Sequence, residues 1–239
     1  MLINKEKCVN CGLCMPRCPM SAIHRNEDKQ VYIDFDECVE CNLCLISKVC
    51  KKDAIYQQEL KWPRIAAHWM SCVQATFIGG DGPGRGTCEA KTNDVTGRYG
   101  EGVIGFAVEF GRPNIGVRIF DIERVAQRLA RLGYIEFEPV NPVTMMMSDP
   151  KSGRFKEELL TIKILSGILE FVVPQEKAEE VLAVLKDVSK DLHTVFSLGL
   201  FGKILPDGTI PQLELCKRLG LPYYPNGKNN VGMGKPYID

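Results

Sequence analysis

The sequence has no long apolar run, no excess of either charge and few histidines. Its 239 residues include 30 basic and 30 acidic residues and 3 histidines, so the formal net charge at pH 7 is zero. A neutral chain lacks the basic surface that attracts nucleic acids and anionic membranes, and no stretch is long enough to span a bilayer. The first residues, MLINKEKC, contain no apolar signal-peptide core. We therefore expect a cytoplasmic protein that binds neither nucleic acid nor membrane.

Cysteine, in contrast, is abundant, with 11 residues. Most of them lie in two runs, CVNCGLCMPRCP from Cys8 and CVECNLCLISKVCK from Cys38. Disulfides would need an oxidising compartment, which the sequence does not indicate. Structural zinc usually takes two separated Cys-x-x-Cys pairs for each ion, whereas the first run has the iron–sulfur spacing C-x2-C-x2-C-x3-C-P. The spacing therefore favours iron–sulfur clusters over zinc and over disulfides.

The same spacing predicts how the thiols are shared between two [4Fe-4S] clusters. In runs of this type the fourth cysteine binds the other cluster. The predicted ligands of one cluster are Cys8, Cys11, Cys14 and Cys50, and those of the second are Cys38, Cys41, Cys44 and Cys18. An internal repeat agrees with this crossing, because CPMSAI in the first run corresponds to CKKDAI in the second. The second run is longer by two residues, and Lys51 replaces the usual proline after the last cysteine.

Residues 1–57 resemble the bacterial two-[4Fe-4S] ferredoxins through these two runs. The resemblance implies a small βαβ-repeat domain that transfers single electrons. Free carriers of that family are markedly acidic, whereas here 8 acidic residues balance 8 basic ones. We interpret residues 1–57 as a ferredoxin module that is fixed into a larger protein.

The next segment, residues 58–101, is predicted to be a connector followed by a glycine-rich stretch. Trp62 and Trp69 are costly to leave in water, so we expect the connector to pack on the cluster module. The stretch GGDGPGRGTCEAKTNDVTGRYGEG matches neither a P-loop nor a dinucleotide fingerprint. Its backbone and the side chains of Arg85, Lys91 and Arg98 could hold a carboxylate or phosphate, and a mobile loop or a docking segment is an equal alternative.

Residues 102–204 show the order βαββαβ. VIGFAVEF alternates as a strand, and DIERVAQRLARLG is an amphipathic helix with Asp121 as N-cap and Gly133 as stop. YIEFEPVNPVTMMM and ELLTIKILSGILEFVV are predicted as the second and third strands, with a helix at 175–188 and a fourth strand in HTVFSLGLFGKI. This order predicts an α+β split βαβ sandwich, with an antiparallel four-stranded sheet and both helices on one face. Residues 205–239 form a tail with one short helix, PQLELCKRLG.

The second region also resembles a known enzyme. The stretches GRYGEGVIGFAVEFGRPNIG, FEPVNPVTMMMSD, HTVFSLGL and PNGKNNVGMGKP are similar to the first half of 6-hydroxynicotinate reductase, an anaerobic ferredoxin-dependent oxidoreductase. The resemblance implies low-potential reduction of a hydroxylated N-heteroaromatic carboxylate. Chains of that family are about twice as long, so it also implies that this chain is the electron-input subunit of a split enzyme.

Several single residues have both a functional and a structural interpretation. Cys72 and Cys88 could bind a further metal with His68, although free cysteines are commonly buried as small apolar groups. Cys216 is predicted to lie in the core, as are Met145–Met147. The candidates to bind an anionic substrate or a partner are Arg85, Arg98, Arg112 and Lys228. For Arg98, Arg112 and Lys228 taken singly, a solvated surface position is the favoured interpretation.

Two functional classes follow. In the first, the chain is an iron–sulfur electron-transfer subunit that docks to a catalytic partner subunit or to a second copy and takes electrons from a donor such as ferredoxin. In the second, it is a complete reductase. Ring reduction usually needs flavin to pair single electrons, and the sequence has no flavin-binding signature, so a flavin belongs to a partner or to the second alternative. We favour the first class.

Overall fold

A computed structural model describes residues 1–75, 97–112 and 114–224. None of the helices in these ranges has the length and apolar character needed to cross a membrane. The first part contains four short strands, a one-turn helix in its second half and a longer helix after it. These elements are β1 Leu2–Ile3, β2 Ile23–Arg25, β3 Val31–Ile33, α1 Leu43–Ile46, β4 Ile55–Tyr56 and α2 Arg64–Ser71. In the first cysteine repeat, a 3-10 turn at Met15–Arg17 takes the position that helix α1 takes in the second repeat.

The two cysteine runs have closely similar backbones. β1 pairs with β4 and β2 pairs with β3, both antiparallel, so the start of one repeat pairs with the end of the other. The Asn4 N–H donates to the Ala54 carbonyl at 2.8 Å, and the Asp34 N–H donates to the Ala22 carbonyl at the same distance. This symmetry gives a physical basis for the internal repeat.

Helix α2 lies between the cysteine repeats and the rest of the chain. Its Ala66, Ala67 and Met70 are buried in the large hydrophobic core of the second region. Arg64 and His68 instead contact the second cysteine run. The connector therefore packs on the cluster module as predicted, although its tryptophans do not make that contact: Trp62 donates to Glu158 Oε1 at 3.0 Å and Trp69 packs against the large core.

The second region is built on a four-stranded antiparallel sheet. The remaining elements are β5 Val103–Phe110, β6 Val117–Arg118, α3 Ile119–Ala130, β7 Glu136–Phe137, α4 Pro142–Met145, β8 Met147–Asp149, β9 Arg154–Phe155, β10 Lys163–Ile164, β11 Gly167–Pro174, α5 Ala178–Val188, β12 Phe196–Phe201 and α6 Pro211–Arg218. The sheet order is β12-β5-β11-β7, and every neighbouring pair is antiparallel. The predicted antiparallel sheet is therefore confirmed.

Alternate residues of the central strands build the core. Ile104, Phe106, Val108 and Phe110 of β5 are fully buried. They belong to one cluster with apolar residues of α3 and α5, namely Ile122, Val125, Leu129, Val181 and Leu185. Because residues two apart on a strand share a face, these four side chains of β5 lie on one side of the sheet. Phe106 and Phe171 stack within this core with their ring centroids 5.2 Å apart.

The second and third predicted strands are shorter than expected. Only Glu136–Phe137 joins the sheet from YIEFEPVNPVTMMM, and PVTM forms the helical turn α4. Asn141 caps this turn by accepting from the Val143 N–H at 2.8 Å, and Pro142 suits the first helical position. The third strand begins at Gly167, because Lys163–Ile164 pairs with Val117–Arg118. Asn141 and Pro142 thus start a helical turn here and end the predicted strand.

The predicted capping role of Asp121 is also wrong. Helix α3 begins at Ile119, whose N–H donates to the Ile162 carbonyl, while the Phe120 N–H donates to the Leu160 carbonyl. A neighbouring segment therefore satisfies two first-turn donors. Asp121 is buried and accepts from the His193 N–H at 3.3 Å, which ties α3 to the residues before β12.

Most other predictions for single residues are confirmed, and the prediction for Met145 is wrong. Gly133 follows α3 with a positive φ of 78°, which suits a helix stop. Met146, Met147 and Cys216 are buried, whereas Met145 is 41% exposed and so lies outside the core. The tail contains α6 as expected, and residues 225–239 lie outside the described part of the chain.

Gly153 lies against the backbone of helix α3, so a larger residue at this position tests the contact between them. A Cβ there would stand 2.5 Å from the backbone carbon of Ala126 in α3, whereas a Cβ at Gly208 would meet nothing within 4 Å. Both glycines have positive φ, so alanine is strained at either position by about 1 kcal/mol. We expect Gly153→Ala to cost a further 1–3 kcal/mol or so, because the helix must shift. The measurement is the apparent unfolding temperature by circular dichroism under anaerobic conditions, with Gly208→Ala as control. Equal losses in the two variants would contradict the predicted contact.

Candidate metal centre

The first cavity of the cysteine repeats is lined by Cys8, Cys11, Cys14 and Cys50. Its volume is about 120 Å³. Apolar side chains complete much of the wall, namely Ile3, Val9, Leu13, Val31, Ala54 and Ile55. Three of the thiols come from the first run and the fourth from the second. We call this space cavity one.

The second cavity, which we call cavity two, is lined by the complementary thiols Cys18, Cys38, Cys41 and Cys44. Buried residues surround it, including Met1, Met20, Ala22 and Val39. The walls of the two cavities thus draw on both cysteine runs. The grouping of thiols around each cavity is the same as the grouping predicted for cluster binding.

The donor set at each cavity fits an iron–sulfur cluster. All eight cysteines of the two runs are free thiols, and four soft sulfur donors suit such clusters. Within the described residues, no three His, Cys, Asp or Glu side chains converge closely enough to hold a single metal ion. The eight thiols instead surround the two cavities.

Backbone hydrogen bonds orient the two crossing cysteines. The Ala22 N–H donates to Cys18 Sγ at 3.2 Å, and the Ala54 N–H donates to Cys50 Sγ at 3.3 Å. Such hydrogen bonds to sulfur stabilise negative charge on a ligating thiolate and raise the potential of a bound cluster. The bond at Cys50 persists although Lys51 stands in the place of proline.

Burial makes these thiols reluctant to ionise without a metal. It raises the pKa of Cys44 to about 12, with smaller contributions from the neighbouring cysteines. Burial also raises the pKa of Cys14, Cys38 and Cys41. Metal binding requires the thiolate form, so iron that binds here displaces protons.

A buried ion pair supports the second cysteine run. Glu40, which lies between Cys38 and Cys41, is fully buried and pairs with the Met1 ammonium group. The Arg64 Nε donates to Glu40 Oε1 at 2.7 Å, and its other nitrogens donate to the Phe35 and Cys38 carbonyls at 2.9 and 3.0 Å. Arg64 therefore fixes the loop that carries Cys38 and Cys41 to helix α2.

Polar side chains next to cavity two extend this support. Asn42 lines the cavity and donates to Gln57, whose amide nitrogen lies 3.4 Å from His68 Nδ1. The same His68 nitrogen lies 2.9 Å from the Glu40 carbonyl. Sequence reasoning missed Glu40, Asn42 and Arg64. The acidic residue within CVECNLC was a sequence signal for Glu40. No feature of the neighbouring sequence identifies Arg64 as its partner.

The same loops contact the second region. Glu37 pairs with Arg118 at 3.0 Å and with Lys163. Leu165 packs against the small buried cluster of Met20, Ala22 and Val39, and its N–H donates to Ser71 Oγ at 2.9 Å. Cavity two therefore lies on the side of the repeats that faces β6 and β10.

The predicted anion-binding residues are not brought to this centre. Arg98 donates to Glu138 Oε2 at 2.9 Å, and Arg112 donates to Glu109 Oε2 at 3.1 Å. Each cation is thus paired within the chain. Arg85, Lys91 and Lys228 lie outside the described residues, as does Cys88. Cys72 is buried and lies close enough to Cys41 to contribute to its raised pKa, behind burial as the main cause.

Comparisons with known proteins agree with the cysteine repeats. A family model described as a 4Fe-4S binding domain matches residues 1–24. The chain is 38% identical over 61 residues to the protein named ferredoxin 7Fe of Hydrogenibacillus schlegelii, a match that covers 26% of this chain and 69% of that protein. It is 48% identical over 46 residues to a ferredoxin of Alicyclobacillus acidocaldarius subsp. acidocaldarius, covering 19% and 55%.

A third relative is a subunit of a larger enzyme. The chain is 39% identical over 44 residues to pyruvate synthase subunit PorD of Methanocaldococcus jannaschii, covering 18% of this chain and 51% of that subunit. No solved structure matches.

The Arg64 contacts predict a difference in stability between two arginines. Replacing Arg64 with methionine removes one partner of a fully buried carboxylate, which keeps the Met1 ammonium group. We expect the free energy of unfolding to fall by about 2 kcal/mol. Removing one partner of a buried pair costs several kcal/mol when no other partner remains, and the remaining ammonium group reduces that cost here. Arg218→Met, which breaks the exposed pair with Glu179, should cost less than about 1 kcal/mol.

Anaerobic thermal unfolding measures both variants. Loss of the visible cluster absorbance during incubation with a chelator gives an independent readout at the loop. Equal behaviour of the two variants would contradict the supporting role of Arg64.

Proposed function

Because the N-terminal part of this chain belongs to the ferredoxin family, we propose that the protein is an iron–sulfur electron-transfer subunit that passes single electrons through two [4Fe-4S] clusters. One observation carries the proposal: the two cysteine repeats together form two cavities, each lined by four free thiols. The proposed ligands are Cys8, Cys11, Cys14 and Cys50 at cavity one, and Cys18, Cys38, Cys41 and Cys44 at cavity two.

When bound, a cluster supplies a site that gains or loses one electron without making or breaking bonds. The chain holds the four thiolates at each cavity and donates backbone N–H groups to Cys18 and Cys50. Buried Val31 and Ile55 keep water away from cavity one. Buried Ala22 and Val39 have the same role at cavity two. A dry, rigid environment suits electron transfer, because little has to reorganise when the charge changes.

The remainder of the chain suits a role within an assembly. Residues 102–204, which we interpret as a βαββαβ split sandwich, provide a second folded unit for contact with a catalytic partner subunit or a second copy. The relatives named PorD are subunits of pyruvate synthase, which is a precedent for such an arrangement. We propose a cytoplasmic, anaerobic oxidoreductase as the assembly, with any flavin in the partner. Reduction of a hydroxylated pyridine ring, by the resemblance to 6-hydroxynicotinate reductase, stays a prediction.

The first test of the proposal is composition. Protein purified without oxygen should contain about eight iron and eight sulfide per chain, since each [4Fe-4S] cluster holds four of each. Inductively coupled plasma analysis of iron and zinc, with a colorimetric sulfide assay, measures this. About four iron, or one zinc per chain, would contradict the two-cluster proposal. Retained flavin absorbance after cluster extraction would favour the complete reductase instead.

Pairs of cysteine variants test the crossed ligand sets. Cys8→Ala with Cys50→Ala should remove one cluster and leave about four iron, because both thiols serve cavity one. Cys8→Ala with Cys18→Ala should remove both clusters. If each run closed its own cluster, the two double variants would exchange these results. Cys216→Ala, at a buried thiol away from both cavities, is the control and should keep about eight iron.

A further inference from the structure

The charges of the ferredoxin repeats are balanced in number but separated in space. Residues 34–40 carry four acidic side chains and no basic one, namely Asp34, Asp36, Glu37 and Glu40. Residues 48–53 carry Lys48, Lys51 and Lys52 against a single Asp53. The first group adjoins cavity two and the second adjoins cavity one. A net charge of zero therefore conceals an acidic segment beside cavity two and a basic segment beside cavity one, which we call the acidic end and the basic end.

Two of the four carboxylates at the acidic end are paired within the chain. Glu40 is buried against Arg64 and the amino terminus. Glu37 pairs with Arg118 and Lys163 of the second region. These ion pairs help to fix cavity two against β6, β10 and α2, so this end of the repeats is an internal interface.

The basic end remains exposed. Lys51 and Lys52 line cavity one, and both are exposed. Val9 and Leu13 line the same cavity with 61% and 55% of their surface exposed, and Cys11 between them is exposed as well. Among the described residues, no carboxylate lines this cavity.

A third cation lies at the same edge. A Cβ on Gly12 would stand 2.8 Å from Arg25 Nη2, so the exposed Arg25 guanidinium lies against the loop between Cys11 and Cys14. We call the surface formed by Val9, Leu13, Arg25, Lys51 and Lys52 the basic face. It combines exposed apolar side chains with three cations, and four of its five residues line cavity one together with the thiols.

We propose that the basic face is the docking site of a small one-electron donor protein with an acidic surface around its redox group, and that electrons enter the chain at cavity one and leave from cavity two. This rests on the proposed function. Opposite charge steers such a partner and speeds encounter, while apolar contact excludes water at the point of transfer. In each transfer the donor is oxidised by one electron and the cluster held at cavity one is reduced by one. No bond forms or breaks, and no proton moves.

Charge reversal on the holoprotein tests this surface. The variant carries Lys51→Glu and Lys52→Glu, and the control carries Lys151→Glu and Lys186→Glu, two exposed lysines outside both cavity walls. Both variants change the net charge equally, so only position differs. The probe is reduced flavodoxin, a strongly acidic one-electron donor. Its dissociation constant and its rate of cluster reduction are measured at about 20 mM and about 200 mM salt, between which screening increases markedly.

We expect the Lys51/Lys52 variant to bind flavodoxin at least about tenfold more weakly at low salt, and the difference to shrink at high salt. The control should stay within about twofold of the unmodified protein. Lys51→Gln with Lys52→Gln should weaken flavodoxin binding about threefold. This variant adds no carboxylate beside Cys50, so it distinguishes weaker docking from a folding defect. Potentiometric titration of each variant separates weaker docking from a changed cluster potential.

Three outcomes would overturn the docking proposal while leaving the electron-transfer function intact. They are an unmodified holoprotein that fails to bind flavodoxin, charge-reversed and control variants of equal affinity, and a loss that is independent of salt. In each of these cases, clusters that dithionite still reduces preserve the proposed function. A purified protein with no reducible cluster would instead refute the proposed function itself.

Discussion

The crossing of two similar chain segments is the constraint on which the cysteine repeats depend. Each run supplies three thiols to one cavity and a fourth to the other, so neither cavity wall can form from one segment alone. The strand pairs cross in the same way, with β1 on β4 and β2 on β3. Secondary structure here is very short, and its strands have two or three residues. Cooperative formation of both cavities, and the cluster binding that we propose, must therefore supply much of the stability that a larger core would otherwise give.

Local patterns were sufficient to predict the features whose partners are close in sequence. Within each run the cysteine spacing predicts three thiols at one cavity, and the alternation of VIGFAVEF predicts a strand with the observed bounds. The amphipathic segments near 121–132 and 175–188 correspond to α3 and α5 within three residues. Each of these features depends on apolar residues that recur every two or 3.6 positions, or on fixed spacing between ligands. A short stretch of sequence is therefore enough to predict it.

The incorrect predictions share a different physical cause, because distant partners decide them. Asp121 has the sequence context of an N-cap, but carbonyls of Leu160 and Ile162 satisfy two donors at the start of α3. The carboxylate is then free to bind the backbone before β12. In the same way, Glu40 and Arg64 are separated by 24 residues, and nothing within either segment indicates that they meet. A single sequence shows which residue types are present, and long-range pairing appears only with the fold.

The two repeats keep one backbone but differ in charge, and this difference separates their roles. Asn10 accepts from the Val31 N–H at 2.9 Å, while at the corresponding position Glu40 accepts from the Met1 ammonium group. A neutral contact in one repeat is thus an ion pair in the other, and Arg64 extends that pair to α2. The repeat that carries Glu40 is consequently held against the rest of the chain, which leaves the loop of Cys11 at the surface. Similar backbone geometry therefore gives the two cavities unequal surroundings, and under the proposed function this inequality gives the passage of electrons a direction.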